Sequence, residues 1–445
     1  MFERYPLGLL VILMVAVASA AFVALRPSAD SDKLVFWTFT QDHQDIFREI
    51  YGPEGIVDVQ LLDMQAFERR MLSGFFTGTP VADIIMVERS VASQAWRGPT
   101  EAIGFLDLTD RLEAEGLLDR INAPSQRPWT VDGRIYGLPF DVHPVMLAYR
   151  ADIYDAAGID IAQAETWDEF MEMSRPLIGD LTGNGSVDRF ALEVSQMDGL
   201  SIVMLMQQAG ADLFDEADQP TLNAELNVEV LTRTAQWFSG DEPVAADIPL
   251  FTGAGERLRG EGLVLAWMCP DWRARRNILY IEGLHGKLRL MPLPAWEKGG
   301  RRTSVWGGTM LGLPKNGERT EEAWEQILHL YTSPELGRTK WEKLYILSPF
   351  KDFWDDPVFD QPDPYYQNQP IGRLYLELAD SVPERTPSVY FPFAAQQLAD
   401  ALHRTVRRMR QSGFTEYADI EPLARRELDR VQANVENLMS RNVFQ

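Results

Sequence analysis

At 445 residues, 45% of them hydrophobic and 24% charged, the chain is too long for one ordinary core and has a globular composition, so two lobes or domains are expected. Its formal net charge of -24 repels phosphate backbones and anionic lipid surfaces, which argues against nucleic acid as a partner. The single cysteine, Cys269, excludes an intramolecular disulfide and reads as buried rather than reactive.

In chain order, the first feature is an apolar run over residues 6–25, about the length that crosses a bilayer as a helix. Ala18, Ser19 and Ala20 offer a signal-peptidase site, while continuation of the run to Leu25 equally suits an uncleaved anchor, so residues 1–32 are a signal peptide or a membrane anchor. Residues 34–39 read as a strand buried on both faces of a parallel sheet, 44–51 as a helix ended by Gly52 and Pro53, and Val57, Val59 and Leu61 alternate as a strand. A helix from 65 to about 73 leads to a buried strand at 83–87. This strand, helix, strand, helix, strand order predicts a doubly wound parallel α/β sheet, with ligands at the carboxyl ends of its strands, where the loops at 40–43 and 88–90 leave the core.

Downstream, Thr166 and Glu169 form a capping box, Thr320 precedes Glu321 and Glu322 at a helix start, and Ser333 precedes Pro334. A short helix at 153–157 is closed by Gly158, a longer one from about 396 to 410 by Gly413, and the last thirty or so residues form one amphipathic helix without breakers beyond Pro422. There is no G-x-x-x-x-G-K-[ST] loop, no G-x-S-x-G elbow and no H-E-x-x-H pair, and the five histidines are scattered. Asp180, Thr182, Asn184 and Asp188 occupy positions 1, 3, 5 and 9 of a calcium-type loop with Gly185 at 6, although Ala191 stands where the bidentate acid belongs. The loop is either a weak structural Ca²⁺ site or a surface turn rich in Asn and Gly; no other cofactor is expected.

Five segments then fall in a telling order: VFWTF (35–39), GTPVADIIMV (78–87), IYGLPFDVHPVMLAYRADIYDAAGI (135–159) followed by TWDEF (166–170), GEGLVLAWMCPDW (260–272) and VWGGTMLGLPKNGERTEEAW (305–324). In sequence and spacing they resemble the extracellular solute-binding proteins of ABC importers, family 1, a group dominated by sugar and oligosaccharide receptors. The resemblance implies a two-lobed periplasmic-binding-protein-like α/β fold of type II, with discontinuous lobes joined by a hinge: 33–140 plus 290–335, and 141–289 plus 336–445. Crossings are expected near Pro139, near 291–294 and near Ser333 and Pro334. Lipoproteins of the family carry a cysteine after the apolar run, and this chain has none there.

By the same resemblance, the ligand-binding candidates are Thr40, Gln41, Asp42 and His43 after the first strand; Glu88 and Arg89; Asp141 and His143; Asp271 and Trp272; Trp306, Gly307 and Gly308; and Tyr390 and Phe391. Aromatic rings suit the C–H faces of a sugar, and carboxylates and amides its hydroxyls. Simpler roles compete: Asp42 suits a helix cap, Glu88 and Arg89 a surface ion pair, and His143 a polar hinge residue. No catalytic residue is expected. The implied function is an extracytoplasmic receptor, secreted or N-terminally anchored at the outer face of the cytoplasmic membrane. As a monomer it closes over a neutral sugar or oligosaccharide and hands it to the permease subunits of an importer. A membrane-anchored sensory protein or an exported carbohydrate-active enzyme are the alternatives. The acidic balance disfavours a phosphorylated or carboxylated solute.

Overall fold

The computed structural model describes residues 32–52 and 54–441, so the signal-or-anchor reading of residues 1–32 lies, but for Asp32, outside the described residues. No described helix is long and apolar enough to cross a membrane. The chain folds into two α/β lobes, each built on its own five-stranded sheet.

The first sheet starts as its hydrophobic pattern dictates. Strand β1 (Leu34–Thr38) pairs in parallel with β2 (Val57–Leu61) and β3 (Ile84–Glu88), linked by helices α1 (Gln41–Tyr51) and α2 (Met64–Thr77). Successive side chains leave opposite faces, so Leu34, Phe36, Ile84 and Met86 enter one core while Trp37, Ile85 and Val87 enter another on the reverse face. Beyond β3 the parallel progression stops. β4 (Leu138–Pro139) ends the first pass, and the strand that separates it from β3, β10 (Thr309–Gly312), is contributed by a much later stretch running antiparallel to both.

The second sheet is ordered β9-β5-β8-β6-β7, from β5 (Val145–Arg150), β6 (Phe190–Glu193), β7 (Ala245–Ala246), β8 (Val264–Pro270) and β9 (Leu288–Pro292). β5 and β8 are buried at every position, as expected of a sheet covered on both faces. Their covers include α3 (Gly199–Ala209), α4 (Glu225–Gln236), α9 (Phe391–Ser412) and α10 (Tyr417–Met439), all in one core. In chain order between these lie α5 (Asp271–Tyr280), α6 (Thr320–Thr332), α7 (Pro334–Leu344) and α8 (Ile371–Ala379).

The chain passes between the sheets after β4 and again between β9 and β10. Its third passage comes later than Ser333 and Pro334. Ser333 caps α7 and Pro334 opens it, but Leu336 and Leu344 still pack in the first core, joined by Ile346, Phe350 and Phe353, while Trp341 on another face of α7 packs into a second-sheet core. Proline at the first helical position starts a helix without choosing its lobe.

Candidate functional site

All three passages meet at one buried ionic cluster. Asp141 and His143 lie on the segment after β4, and Asp271 opens α5 directly after β8. Nδ1 of His143 lies 2.6 Å from Asp271 Oδ1, and its Nε2 lies 3.0 Å from Asp141 Oδ2. Each ring nitrogen faces a carboxylate oxygen, an arrangement that favours the doubly protonated ring. Burial works to lower its pKa, but the two carboxylates outweigh burial and push it up to about 10. Asp141 also accepts from the Thr309 N–H at 3.2 Å, and Asp271 from the Leu347 N–H at 2.8 Å. The cluster therefore binds one backbone group of each returning segment. Lys340 on α7 completes it, donating to the Phe140 carbonyl at 2.6 Å; burial pushes its ammonium down to about 7. His43 packs edge-on between Phe39 and Phe140 and is kept neutral, burial lowering its pKa to about 4.

The lobes meet around a cavity of about 10 Å³, room for no more than a water molecule. Glu88 and Arg89, at the carboxyl end of β3, line it from the first lobe; Gln207 of α3, Trp306, Arg385 and Phe391 line it from the other side. Two buried donors here have no partner: Gln207 Nε2 and Arg385 Nε. An unsatisfied buried donor carries a desolvation penalty of about 1–3 kcal/mol, which a bound acceptor would remove. Arg89 lies 3.9 Å over the Phe391 ring and donates to the Thr386 carbonyl at 3.2 Å. Burial and then the charge of Arg385 lower its pKa to about 9; burial lowers that of Arg385 to about 10. Burial raises the Glu88 carboxyl, tempered by the Ser90 backbone and hydroxyl donors that make Glu88 the cap of a short helix.

Trp272 donates its indole N–H to the Trp306 carbonyl at 3.0 Å, and the two rings meet edge to face with centroids 5.7 Å apart. Gly307 and Gly308 follow at φ 107° and 134°. A Cβ at Gly307 would stand 2.9 Å from the His143 ring, and one at Gly308 2.9 Å from the Arg385 guanidinium, so both geometry and space demand glycine.

Of the residues expected from the sequence, the structure brings Glu88, Arg89, Trp306, Gly307 and Phe391 to the cavity lining and gathers His43, Asp141, His143 and Asp271 in the hinge cluster beside it. Thr40, and not Asp42, caps α1, accepting from the His43 N–H; Gln41 is bonded to Asp45 and Asp42 is exposed, all outside the lining. Trp272 packs edge to face on Trp306 without lining the cavity, Gly308 carries the carbonyl that accepts from the Arg89 N–H, and Tyr390 is buried at the start of α9. In the 180–188 loop, Asp180 accepts from the backbone N–H groups of Gly183, Asn184 and Gly185, and Asp188 from that of Thr182. Among the described residues no group of three or more His, Cys, Asp or Glu side chains is placed to hold a metal. Cys269 is buried, its thiol pushed up to about 12 by burial. Sequence reading missed Gln207, Lys340 and Arg385. Gln207 and Gln208 were visible as polar residues ending the apolar run IVMLM, whereas nothing local marks Lys340 or Arg385.

Residues 57–335 match the family described as bacterial extracellular solute-binding protein. The chain belongs to that family. Similar to this binding protein are the arabinooligosaccharide-binding proteins of Halalkalibacterium halodurans, 26% identical over 84% of this chain and 85% of that one, and of Bacillus subtilis, 22% identical over 90% and 92%. Among solved structures, the sugar-binding protein MalE of Xanthomonas citri superposes with a TM-score of 0.72 at 16% identity, covering 92% of this chain and 99% of that one. A family 1 extracellular solute-binding protein gives the same score at 20% identity over 90% and 99%. These likenesses establish the two-lobed fold of the binding protein, and its family is one of extracytoplasmic binding proteins.

Proposed function

We propose that the protein is an extracytoplasmic receptor that encloses a neutral sugar or oligosaccharide between its lobes and delivers it to the permease subunits of an ABC importer, acting as a monomer, secreted or anchored by its N-terminal segment, without transforming the solute. The observation that carries this reading is the interlobe cavity. Two buried donors, Gln207 Nε2 and Arg385 Nε, lack acceptors beside the Trp306 ring, and sugar hydroxyls against a C–H face supply what such a site lacks. The named activities of the relatives in Halalkalibacterium halodurans and Bacillus subtilis support oligosaccharides as the class. Arginine beside glutamate in the lining suits hydroxyls, which both donate and accept.

A thermal-shift screen of the full-length chain against arabino-oligosaccharides, malto-oligosaccharides, polyols, sugar phosphates and polyamines tests it. One saccharide series at 100 times its dissociation constant should add about 2.7 kcal/mol of stability. Gln207→Leu and Arg385→Leu should each weaken that binding by about tenfold or more. Stabilisation by sugar phosphates or polyamines alone, or saccharide binding indifferent to both substitutions, would refute the assignment.

A further inference from the structure

Outside the cavity, an aromatic line leaves the cleft along α5. Trp272, Arg276 and Tyr280 stand four residues apart, so they share one face of that helix. Phe251, from the loop after β7, leans against the start of this line, its ring 5.7 Å from Trp272 and 6.2 Å from Trp306. The Arg276 guanidinium then bridges outward, 5.4 Å from the Phe251 ring and 4.5 Å from that of Tyr280, with Glu256 3.8 Å away on its other side. Trp272 packs against the core, but the outer rings do not. Phe251 is 49% and Tyr280 56% exposed, and together with Thr252, Glu256, Glu261 and Arg276 they line an open groove of about 630 Å³. Phe251 holds this position at φ 55°, a left-handed conformation that a phenylalanine rarely adopts, so the backbone is strained to present an apolar ring to water.

We propose that this groove is an outer subsite for the distal units of an oligosaccharide whose first units lie in the cleft; the inference rests on the sugar-receptor reading above. Continuity selects the occupant. Trp306 lines the interlobe cavity and touches Phe251, Phe251 opens the groove, and Tyr280 closes it, so a chain emerging past Trp306 passes from ring to ring. The groove also carries what hydroxylated units require between stacking faces: the carboxylates of Glu256 and Glu261, the hydroxyl of Thr252 and a guanidinium fixed by two rings. A wall made for a monosaccharide has no use for these groups, since they lie beyond the cavity.

The test is calorimetric titration of the full-length chain with arabinobiose, arabinotriose and arabinotetraose, and with maltose, maltotriose and maltotetraose, against wild type, Phe251→Ala and Tyr280→Ala. In the series that binds, wild-type affinity should rise by about tenfold or more from the shortest to the longest member, the worth of one or two stacking contacts. Tyr280→Ala and Phe251→Ala should erase that gain while leaving the shortest member's affinity as it was. Saccharide binding without length dependence, or a length dependence that survives both substitutions, overturns the outer subsite and leaves the receptor reading standing. Failure of every saccharide to bind wild type overturns both.

Discussion

His143 sets the electrostatics of the hinge, and its two carboxylate partners make the consequence measurable. Its folded pKa of about 10 stands above an unfolded value of about 6.5, so its contribution to stability is complete below about pH 6.5 and is lost as pH rises through about 10. Lys340 acts in the opposite sense. Its folded value of about 7 lies below an unfolded value of about 10.4, so it destabilises most at low pH and that penalty is relieved across the same window. The two partly cancel in the wild-type profile, and the difference between wild type and His143→Gln isolates the histidine. Urea denaturation should show His143→Gln less stable by about 3–5 kcal/mol near neutral pH, because Asp141 and Asp271 lose the charge between them, with the deficit shrinking towards about pH 10. A deficit independent of pH would mean that the ring serves only packing.

At the scale of elements, most of what the sequence announced was local chemistry, and local chemistry survives folding. Thr166 accepts from the Glu169 N–H at 3.3 Å while Glu169 accepts from the Thr166 N–H at 3.2 Å, which seats the fully buried Trp167 against Trp237 and Trp296. Thr166→Ala should therefore cost about 1 kcal/mol, read as a lower urea midpoint at unchanged slope. The parallel trio β1, β2 and β3 was legible for the same reason, since a buried run and a crossover helix are written in adjacent residues. The antiparallel neighbours of β3 and β4 were not, because β10 arrives from some 170 residues further along the chain than β4 and its place follows from the passages between lobes. Helix ends shifted for a related reason. The helix expected from about 396 begins at Phe391, where Pro392 is tolerated in the first turn. The site divides in the same way: Trp306, Gly307 and Gly308 sit in a recognisable turn, while Gln207 and Arg385 matter through single buried donors, Nε2 and Nε, that lack an acceptor, a property of three dimensions alone.

At the scale of the whole molecule, the cavity volume sets the terms of any closure mechanism. With about 10 Å³ in the cavity between Glu88, Arg89, Trp306 and Arg385, this arrangement leaves no room there for a saccharide, so a solute that binds between these walls enters a wider form. The cluster of Asp141, His143 and Asp271 is suited to such a motion, for it holds the Thr309 and Leu347 backbones where the chain passes between the lobes, while Trp306 and Phe391 are packed in the core of the second lobe behind the cavity lining. A ligand shifts the balance only through its preference for the closed form; on the proposed reading that preference comes from contacts to Arg89 of the first lobe and Arg385 opposite it. Small-angle scattering should then show the radius of gyration falling when the solute that stabilises the chain is added to saturation. Arg89→Leu, which removes the first-lobe partner, should weaken binding. An identical radius with and without a solute that demonstrably binds would rule out hinge closure and require a cleft that is open in some other way.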